Sequence, residues 1–340
     1  MCNMKTLFSL ISFKKAQRKI PFMTNKLLRF TVLAGILSVT YLFIGSCNKF
    51  EGDQTIPAYI RIDSIHLTTN YESQGAPTQN ITDAWVYVND QSIGAYELPA
   101  VFPVLANGLT EIRVDPGIKL NGISALRSPY PFYQPIVQDV MLVEGEEVNL
   151  NSDTLFMGGN EFVPYTMTTT YYDNLEFKWM EDFEDPSLSL DSTSKSLTDI
   201  TRTEPANNPE AFLSSYSKYS GLMILDEVKY IIDVATNVGN EDGFILPQTG
   251  QPVFLEFDFK TNNYFSTGFY SQEISQIIQH PVVNMNPTDE WKKIYVNLSP
   301  GISAQYNAID FNIFFGSIKE SSVDEPRILL DNIKLIHRKQ

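Results

Sequence analysis

The chain has few residues of the kinds that carry out catalysis. Its 340 residues include two cysteines, Cys2 and Cys47, and three histidines. No second thiol follows Cys47, so a disulfide within the chain downstream of it is excluded. The histidines, His66, His280 and His337, lack the spacing of a zinc site or a catalytic triad. No nucleophile elbow or phosphate loop occurs either. The sequence therefore predicts a protein that is not an enzyme.

Basic residues are also scarce. The chain has 25 Lys and Arg against 40 Asp and Glu, a formal net charge of −15. Residues 1–46 hold seven of the basic residues and no acids, which leaves 18 basic and 40 acidic residues downstream and a net charge of −22. Recognition of phosphate groups needs basic patches, which this composition does not provide. Nucleic acids and anionic head groups are thus excluded as partners, whereas neutral glycans, cations and proteins remain.

No apolar run is long enough for a transmembrane helix. The run at residues 30–45 has roughly 16 residues, against the ~20 that a spanning helix needs. It follows a basic, acid-free stretch, as the apolar region of a secretion signal does. Met23 is the favoured start of this signal, and a longer basic leader that begins at Met1 or Met4 is the alternative. We interpret residues 1–46 as a signal peptide.

The end of this run resembles a lipidation signal. The segment IGSC at residues 44–47 resembles a lipobox, in which a signal peptidase cuts before a cysteine that carries diacylglycerol. A triacylated Cys47 would anchor the chain stably, because each buried methylene contributes about 0.8 kcal/mol. Residues 47–54 would form a tether, whose acidic pattern is similar to export signals of surface lipoproteins of Bacteroidetes. The resemblance implies an outer-membrane lipoprotein that faces the cell surface; an unmodified cysteine on a solvated tether is the alternative.

Short alternating runs, bounded by Gly, Pro, Asn and Asp, dominate the rest of the chain. In residues 55–150, about seven such runs predict a small antiparallel sandwich of immunoglobulin or transthyretin type. Residues 151–175 lack clean alternation and are interpreted as a linker or a bridging strand. Residues 176–340 resume the alternation as a second β-domain. The predicted fold class is all-β.

The clearest strand of the second domain contains the sequence QPVFLEFDFK. Its alternate apolar residues are predicted to face the core, and Phe254, Glu256 and Asp258 to lie on the solvent side. The last strand, ILLDNIKL, changes phase at Asp331 and Asn332. This change predicts a β-bulge, which re-aims a side chain that regular pleating would alternate.

Three motifs of the second domain resemble a known fold. FEDP near its start, WKKIYVNL in a late strand and ILLDNIKL in the last resemble the jelly roll of carbohydrate-binding modules and of related laminin-G-like or discoidin-like sandwiches. The resemblance covers residues 176–340, about half of the chain. It bears on the fold more than on the ligand, because one fold serves many functions. With the lipobox, the chain resembles surface lipoproteins of Bacteroidetes that serve outer-membrane complexes.

The resemblance implies two alternative functions. In the first, the chain is a non-catalytic accessory subunit that docks on an outer-membrane protein, which the lack of a Trp outside the expected core positions favours. In the second, it is a glycan-binding lipoprotein of a polysaccharide-utilisation system, with aromatic rings that stack on sugars. The candidate ligand-binding residues are Glu256, Asp258, Tyr264, Phe265, Phe269 and Tyr270, with Tyr216 and Tyr219. Packing in the core or at a sheet edge is the other interpretation of these aromatics.

The resemblance also implies a structural calcium ion. In jelly-roll carbohydrate-binding modules such an ion commonly ties the first strand to the last, and the matching carboxylates here are Glu184 and Asp331. Calcium takes about six to eight oxygens, so two unrelated surface acids are the alternative. Glycoside hydrolysis is not expected, because it needs two carboxylates ~5 to 9.5 Å apart across a sugar. Adjacent acids such as Glu181 and Asp182 point to opposite faces of a strand.

Overall fold

The computed structural model describes residues 56–158, 161–238 and 242–339. The predicted signal peptide, Cys47 and the tether lie outside these residues. Residues Thr55–Gln340 form one compact unit. None of the helices in the described ranges has the length and apolar character needed to cross a bilayer. The regular elements of the described residues are strands apart from two short helices, so the prediction of an all-β fold is confirmed.

The strands range in length from three to 12 residues. The strands of the N-terminal half are β1 (Ala58–Ile62), β2 (His66–Thr68), β3 (Asp83–Val88), β4 (Gln91–Glu97), β5 (Ala100–Val104), β6 (Gly108–Lys119), β7 (Arg127–Pro129), β8 (Ile136–Leu142), β9 (Glu147–Asn149), β10 (Thr154–Gly158), β11 (Glu161–Pro164) and β12 (Thr168–Thr170). Those of the C-terminal half are β13 (Leu175–Glu181), β14 (Leu190–Ser192), β15 (Thr201–Thr203), β16 (Ser220–Ile224), β17 (Ile231–Thr236), β18 (Val253–Thr261), β19 (Phe265–Gln272), β20 (Ile277–Met285), β21 (Thr288–Asn297), β22 (Asp310–Ile318) and β23 (Arg327–Arg338). The helices are α1 (Tyr71–Gln74) and α2 (Ser299–Ala304).

The first sandwich has two main sheets. One has the order β5-β1-β9, and the other has the order β4-β3-β6-β7 with β8 paired to β6. Ile60 of β1 and Ala84 and Val86 of β3 are fully buried between them, as the alternation predicts. The predicted linker at residues 151–175 contains three strands. β10 and β11 form a hairpin, and β12 pairs in parallel with β2.

The second sandwich is an antiparallel jelly roll of two sheets. The covered sheet, as we call it, has the order β15-β16-β23-β18-β21, with β13 also paired to β23. The open sheet has the order β14-β17-β22-β19-β20. The core between them includes Leu255 and Phe257 of β18 and Ile313 and Phe315 of β22, all fully buried. Burial of these residues confirms the predicted inward face of β18.

The first sandwich packs on the outer face of the covered sheet. Phe254, Tyr295 and Ile336 of that sheet belong to the hydrophobic core of the first sandwich. Glu256 and Asp258 share this face and are 0% and 4% exposed. The prediction that Phe254, Glu256 and Asp258 lie on a solvent side is therefore wrong. Alternation shows which residues share a face, but the cover over that face comes from elsewhere in the chain.

The predicted bulge in the last strand is confirmed. Glu256 of β18 pairs with Lys334 of β23, whereas Asp258 pairs with Asp331, so β23 carries one extra residue. Asn332 takes up the bulge with a φ of 47°, a left-handed conformation that asparagine tolerates.

Candidate functional site

The two predicted ligand-binding acids lie at the junction of the sandwiches. Glu256 accepts hydrogen bonds from the hydroxyls of Tyr130 at 2.6 Å and Tyr171 at 2.8 Å, and its carboxylate lies 3.7 Å from Lys293 Nζ. Asp258 accepts a hydrogen bond from the side-chain amide of Asn332 at 3.0 Å, and burial raises the pKa of Asp258. The prediction that Glu256 and Asp258 hold sugar hydroxyls is thus wrong, because both are enclosed and bonded to protein groups.

The four predicted aromatics, three in β19 and one directly before it, separate into two sets. Phe269 is 0% exposed and lies in the core between the sheets, so its assignment to a ligand is wrong. Phe265 is 2% exposed and also lies in this core, although it is among the residues that border the groove described next. Tyr264 is 50% exposed. Tyr270 lies on the outer face of the open sheet, where its ring packs against Phe314 at 5.4 Å. Of the four, Tyr264 is therefore the exposed aromatic, whereas Tyr270 lies outside the core between the sheets but is only 8% exposed.

A groove of about 590 Å³ crosses this outer face. Its floor includes Ser266 of β19 and Gly316 of β22, neighbours in the sheet. A Cβ at Gly316 would lie 3.3 Å from Asp233 Oδ2, so glycine leaves the floor low beside that carboxylate. Tyr264 and Ile318, both largely exposed, give the groove an apolar wall.

The other side of the groove is a hydrogen-bonded polar cluster. Asp233 Oδ1 accepts from the hydroxyls of Tyr270 at 2.7 Å and Thr193 at 2.8 Å, and Asp233 Oδ2 accepts from Gln279 Nε2 at 2.8 Å. Lys195 Nζ donates to Gln279 Oε1 at 2.8 Å and to the Tyr270 hydroxyl at 3.2 Å. Burial, and then the bond to Asp233, raises the pKa of Tyr270, so its hydroxyl stays a donor.

Each member of this cluster comes from a different part of the chain. Lys195 follows β14, Asp233 lies in β17, Tyr270 in β19 and Gln279 in β20. Of these, only Tyr270 was predicted. The run IIDVAT, in which Asp233 is the single charged residue of a β-branched strand, is the signal that sequence reasoning missed.

Tyr216 and Tyr219 do not line the groove. The ring of Tyr216 stacks on Tyr71 of α1 with centroids 5.5 Å apart. The guanidinium of Arg202 lies 4.0 Å above the ring of Tyr219. Both tyrosines therefore have protein partners for their rings.

The two acids of the predicted calcium site approach the same segment, residues 217–220. Glu184 Oε1 accepts two consecutive backbone N–H groups there, at 2.6 and 2.9 Å. Asp331 Oδ2 accepts the hydroxyls of Ser217 at 2.7 Å and Ser220 at 3.1 Å. Backbone N–H groups cannot coordinate a cation, so Glu184 Oε1 does not fit a calcium ligand as it lies. The described ranges contain no group of three or more His, Cys, Asp or Glu placed to hold a metal, and the calcium ion stays a prediction.

No protein-family profile and no curated protein matches the chain. Solved structures match just under half of it. A family 11 carbohydrate-binding module from Clostridium thermocellum, in complex with a β-1,3-1,4-mixed-linked tetrasaccharide, is 16% identical over 47% of this chain and 96% of that chain, with a TM-score of 0.31. TmCBM61 in complex with β-1,4-galactotriose is 12% identical over 46% of this chain and 94% of that chain, with a TM-score of 0.29.

The enzymatically active domain of tailspike protein 4 from bacteriophage CBA120 is also similar. It is 14% identical over 46% of this chain, with a TM-score of 0.30, and the match spans 20% of that chain. At these identities and TM-scores the similarities say nothing of what this chain binds or whether it catalyses a reaction.

Proposed function

We propose that the chain is a non-catalytic glycan-binding protein, with its sugar site in the groove on the open sheet. One observation carries the proposal: an exposed aromatic ring, Tyr264, and a fixed cluster of acid, amide and ammonium groups line the same groove. A sugar presents apolar C–H faces to aromatic rings and hydroxyls to polar groups that are held in place. The groove offers both kinds of contact side by side.

The contacts of Asp233 suit it to binding a sugar. Its two oxygens accept three hydrogen bonds, from Thr193, Tyr270 and Gln279, which fix the position of the carboxylate at the side of the groove. A carboxylate fixed in this way is suited to accept a hydrogen bond from a sugar hydroxyl.

We also propose that an acyl chain on Cys47 holds this domain at the outer membrane, facing outward. The support is the IGSC segment at the end of an apolar signal region. An anchored glycan-binding domain would concentrate polysaccharide at the cell surface. Binding then comes before any chemistry, which other proteins would perform.

Affinity electrophoresis tests the sugar site. Residues 55–340, which form one compact unit, should be retarded by at least one polysaccharide from a panel of glucans, galactans and xylans. Tyr264→Ala removes the aromatic wall and should weaken that binding about tenfold. The matched control is Tyr306→Ala, because Tyr306 is 79% exposed and does not line the groove.

Three results would contradict the proposal. The first is no retardation by any polysaccharide, and the second is an equal loss in Tyr264→Ala and Tyr306→Ala. The third is release of reducing ends by the purified protein, which would show turnover.

A second candidate function is docking on a protein partner, and the hairpin of β10 and β11 favours it. Phe156, Met157, Phe162 and Val163 are 56%, 61%, 61% and 43% exposed, and the rings of Phe156 and Phe162 lie 5.0 Å apart. Adjacent exposed apolar side chains of this size are typical of interaction surfaces. A Phe156→Ser, Phe162→Ser double variant should lose any co-purifying membrane protein while it keeps its binding to polysaccharide. Equal co-purification by the variant and the wild type would remove this candidate.

A further inference from the structure

A second cavity, a cleft of about 430 Å³, lies where the two sandwiches meet. Asn80 and Asn121 of the first sandwich line one side of it, and Asn284, Asn286 and Lys292 of the second line the other. Cavities between domains are common ligand sites, because two surfaces converge there. Side-chain amides both donate and accept hydrogen bonds, as sugar hydroxyls do.

The cleft is held in shape by bonds across the junction. The backbone N–H of Asn121 donates to Tyr295 O at 2.9 Å, and its side-chain oxygen accepts from the backbone N–H of Asn297 at 2.8 Å. Asn80 Nδ2 donates to Lys293 O at 3.0 Å. The two walls are therefore fixed relative to each other before any ligand binds, which lowers the entropic cost of binding.

An apolar floor lies beneath these polar walls. Phe259, Met285 and Ile294 line the cleft and are 5%, 3% and 5% exposed, so each shows only a small part of its side chain there. Gly122 closes over Ile294, since a Cβ at Gly122 would lie 3.2 Å from Ile294 Cδ1. Like the open-sheet groove, the cleft therefore combines polar and apolar lining residues, here as polar walls over an apolar floor.

The charge of the cleft is opposite to that of the chain. None of the described residues that line it is acidic, although residues 47–340 carry a net charge of −22; Lys119 and Lys292 both contribute to the lining. Lys119 Nζ lies 3.4 Å from Glu97 Oε1, whereas Lys292 is exposed and forms no ion pair within the described residues. Lys293 also lines the cleft, but its Nζ turns inward and donates to Thr78 Oγ1 at 3.1 Å.

The cleft and the groove share one lining residue. Asn284, near the end of β20, lines both of them. β20 is the edge strand of the open sheet and pairs with β19 alone among the described strands. The groove and the cleft are therefore neighbours at this edge of the sheet, with Asn284 between them.

We propose that the cleft is a second subsite of the same glycan site and that it takes a sugar unit bearing an anionic group, a carboxylate or a sulfate. The proposal rests on the proposed function, since it extends the groove. The groove binds the neutral part of the glycan through Tyr264 and the polar cluster. Lys292, which forms no ion pair with a carboxylate among the described residues, pairs with the anionic group.

The test compares matched polymers. Wild type and Lys292→Gln are titrated by affinity electrophoresis with polygalacturonate and its carboxyl-reduced form, and with a sulfated galactan and its desulfated form. For the anionic polymer that binds, Lys292→Gln should weaken binding about three- to tenfold and leave the neutral form unaffected. The polymer that shows the effect distinguishes carboxylate from sulfate. Lys229→Gln is the control, because Lys229 is exposed and lines neither cavity.

Two further variants separate this proposal from the proposed function. Asn284→Ala should weaken binding of both the anionic and the neutral form, because Asn284 lies where the two sites meet. If Lys292→Gln binds both members of each pair as wild type does, the second subsite is wrong. The glycan site itself stands in that case if Tyr264→Ala still weakens binding, and falls if Tyr264→Ala has no effect either.

Discussion

Replacement of Glu256 by alanine is the most demanding test of the junction between the sandwiches. The carboxylate is 0% exposed, and two tyrosine hydroxyls and one lysine converge on it. Tyr130 and Tyr171 come from the first sandwich and the segment that follows it, whereas Glu256 and Lys293 come from the covered sheet. The variant removes the acceptor that these groups share, and the groups stay buried, where water cannot replace it.

The size of the effect follows from what is left unpaired. Each hydrogen bond from a tyrosine to a charged carboxylate contributes about 1.5–3 kcal/mol. Removal of one partner of a buried ion pair costs about 3–5 kcal/mol, because the other charge stays buried. These contributions overlap at one carboxylate, so we expect Glu256→Ala to lower the free energy of unfolding by about 3–5 kcal/mol. Glu256→Gln keeps the shape and one acceptor oxygen and should lose less.

Urea unfolding followed by tryptophan fluorescence measures this difference. The control is Glu290→Ala, since Glu290 is an exposed acid on the same strand as Lys293 and should change stability by no more than about 0.5 kcal/mol. A Glu256→Ala protein within about 1 kcal/mol of wild type would refute the reasoning. It would mean that the buried network contributes no net stability and that apolar contacts alone hold the junction.

Three other predictions concern single side chains. Burial lowers the pKa of Lys334 to about 7, against 10.5 for an ordinary lysine, so between these two pH values the unfolded state binds more protons than the folded state. The free energy of unfolding should therefore rise from pH 7 to 9, and this rise should be smaller in Lys334→Met. If Cys47 is acylated, Cys47→Ser should leave the outer-membrane fraction on alkaline washing, and its retention there would contradict the anchor. If calcium binds at Glu184 and Asp331, a chelator should lower the melting temperature of wild type but not of Asp331→Asn, and identical melting with and without chelator in wild type would rule the ion out.

The alternation in β18 shows what one strand can and cannot predict. Its apolar positions were correctly predicted to face the core of the jelly roll. Its other face carries Glu256 and Asp258, and acids on one side of a strand usually indicate solvent. The cover over that face comes from tyrosines 85 and 126 residues earlier in the chain, and no periodicity within the strand reports a contact at that distance.

The aromatics around β19 were separable from the sequence. A period of two places Phe265 and Phe269 on one face of the strand and Tyr264 and Tyr270 on the other. The structure follows this division, with the phenylalanines in the core and the tyrosines outside it. The prediction of all four as ligand-binding residues did not use this division. The residue types indicate the same division, because a tyrosine hydroxyl requires a polar partner and a phenylalanine does not.

The polar cluster of the groove could not be predicted from the sequence, for a different reason. Lys195, Asp233 and Gln279 meet because β14, β17 and β20 belong to one sheet, in the order β14-β17-β22-β19-β20. Strand order in a jelly roll depends on long-range pairing, whereas a local pattern reports only the face on which a residue lies. A single acid in a β-branched strand indicates a candidate functional residue, but its hydrogen-bond partners can be identified only when the order of the strands in the sheet is known.

The junction also explains why the groove lies on the open sheet. The first sandwich covers the other sheet with its own core, since Tyr133 and Tyr171 of the first half share a hydrophobic cluster with Phe254 and Ile336 of the second. A boundary near residue 176 therefore marks the start of the jelly roll but not a break in the core. Exposing the covered sheet would bring buried apolar side chains and an unpaired carboxylate network into water, which is unfavourable on both counts. Within the jelly roll, the outer face of the open sheet is thus the sheet face that the first sandwich leaves uncovered, and the cleft at its edge is where the first sandwich would come within reach of the glycan that we propose to bind there.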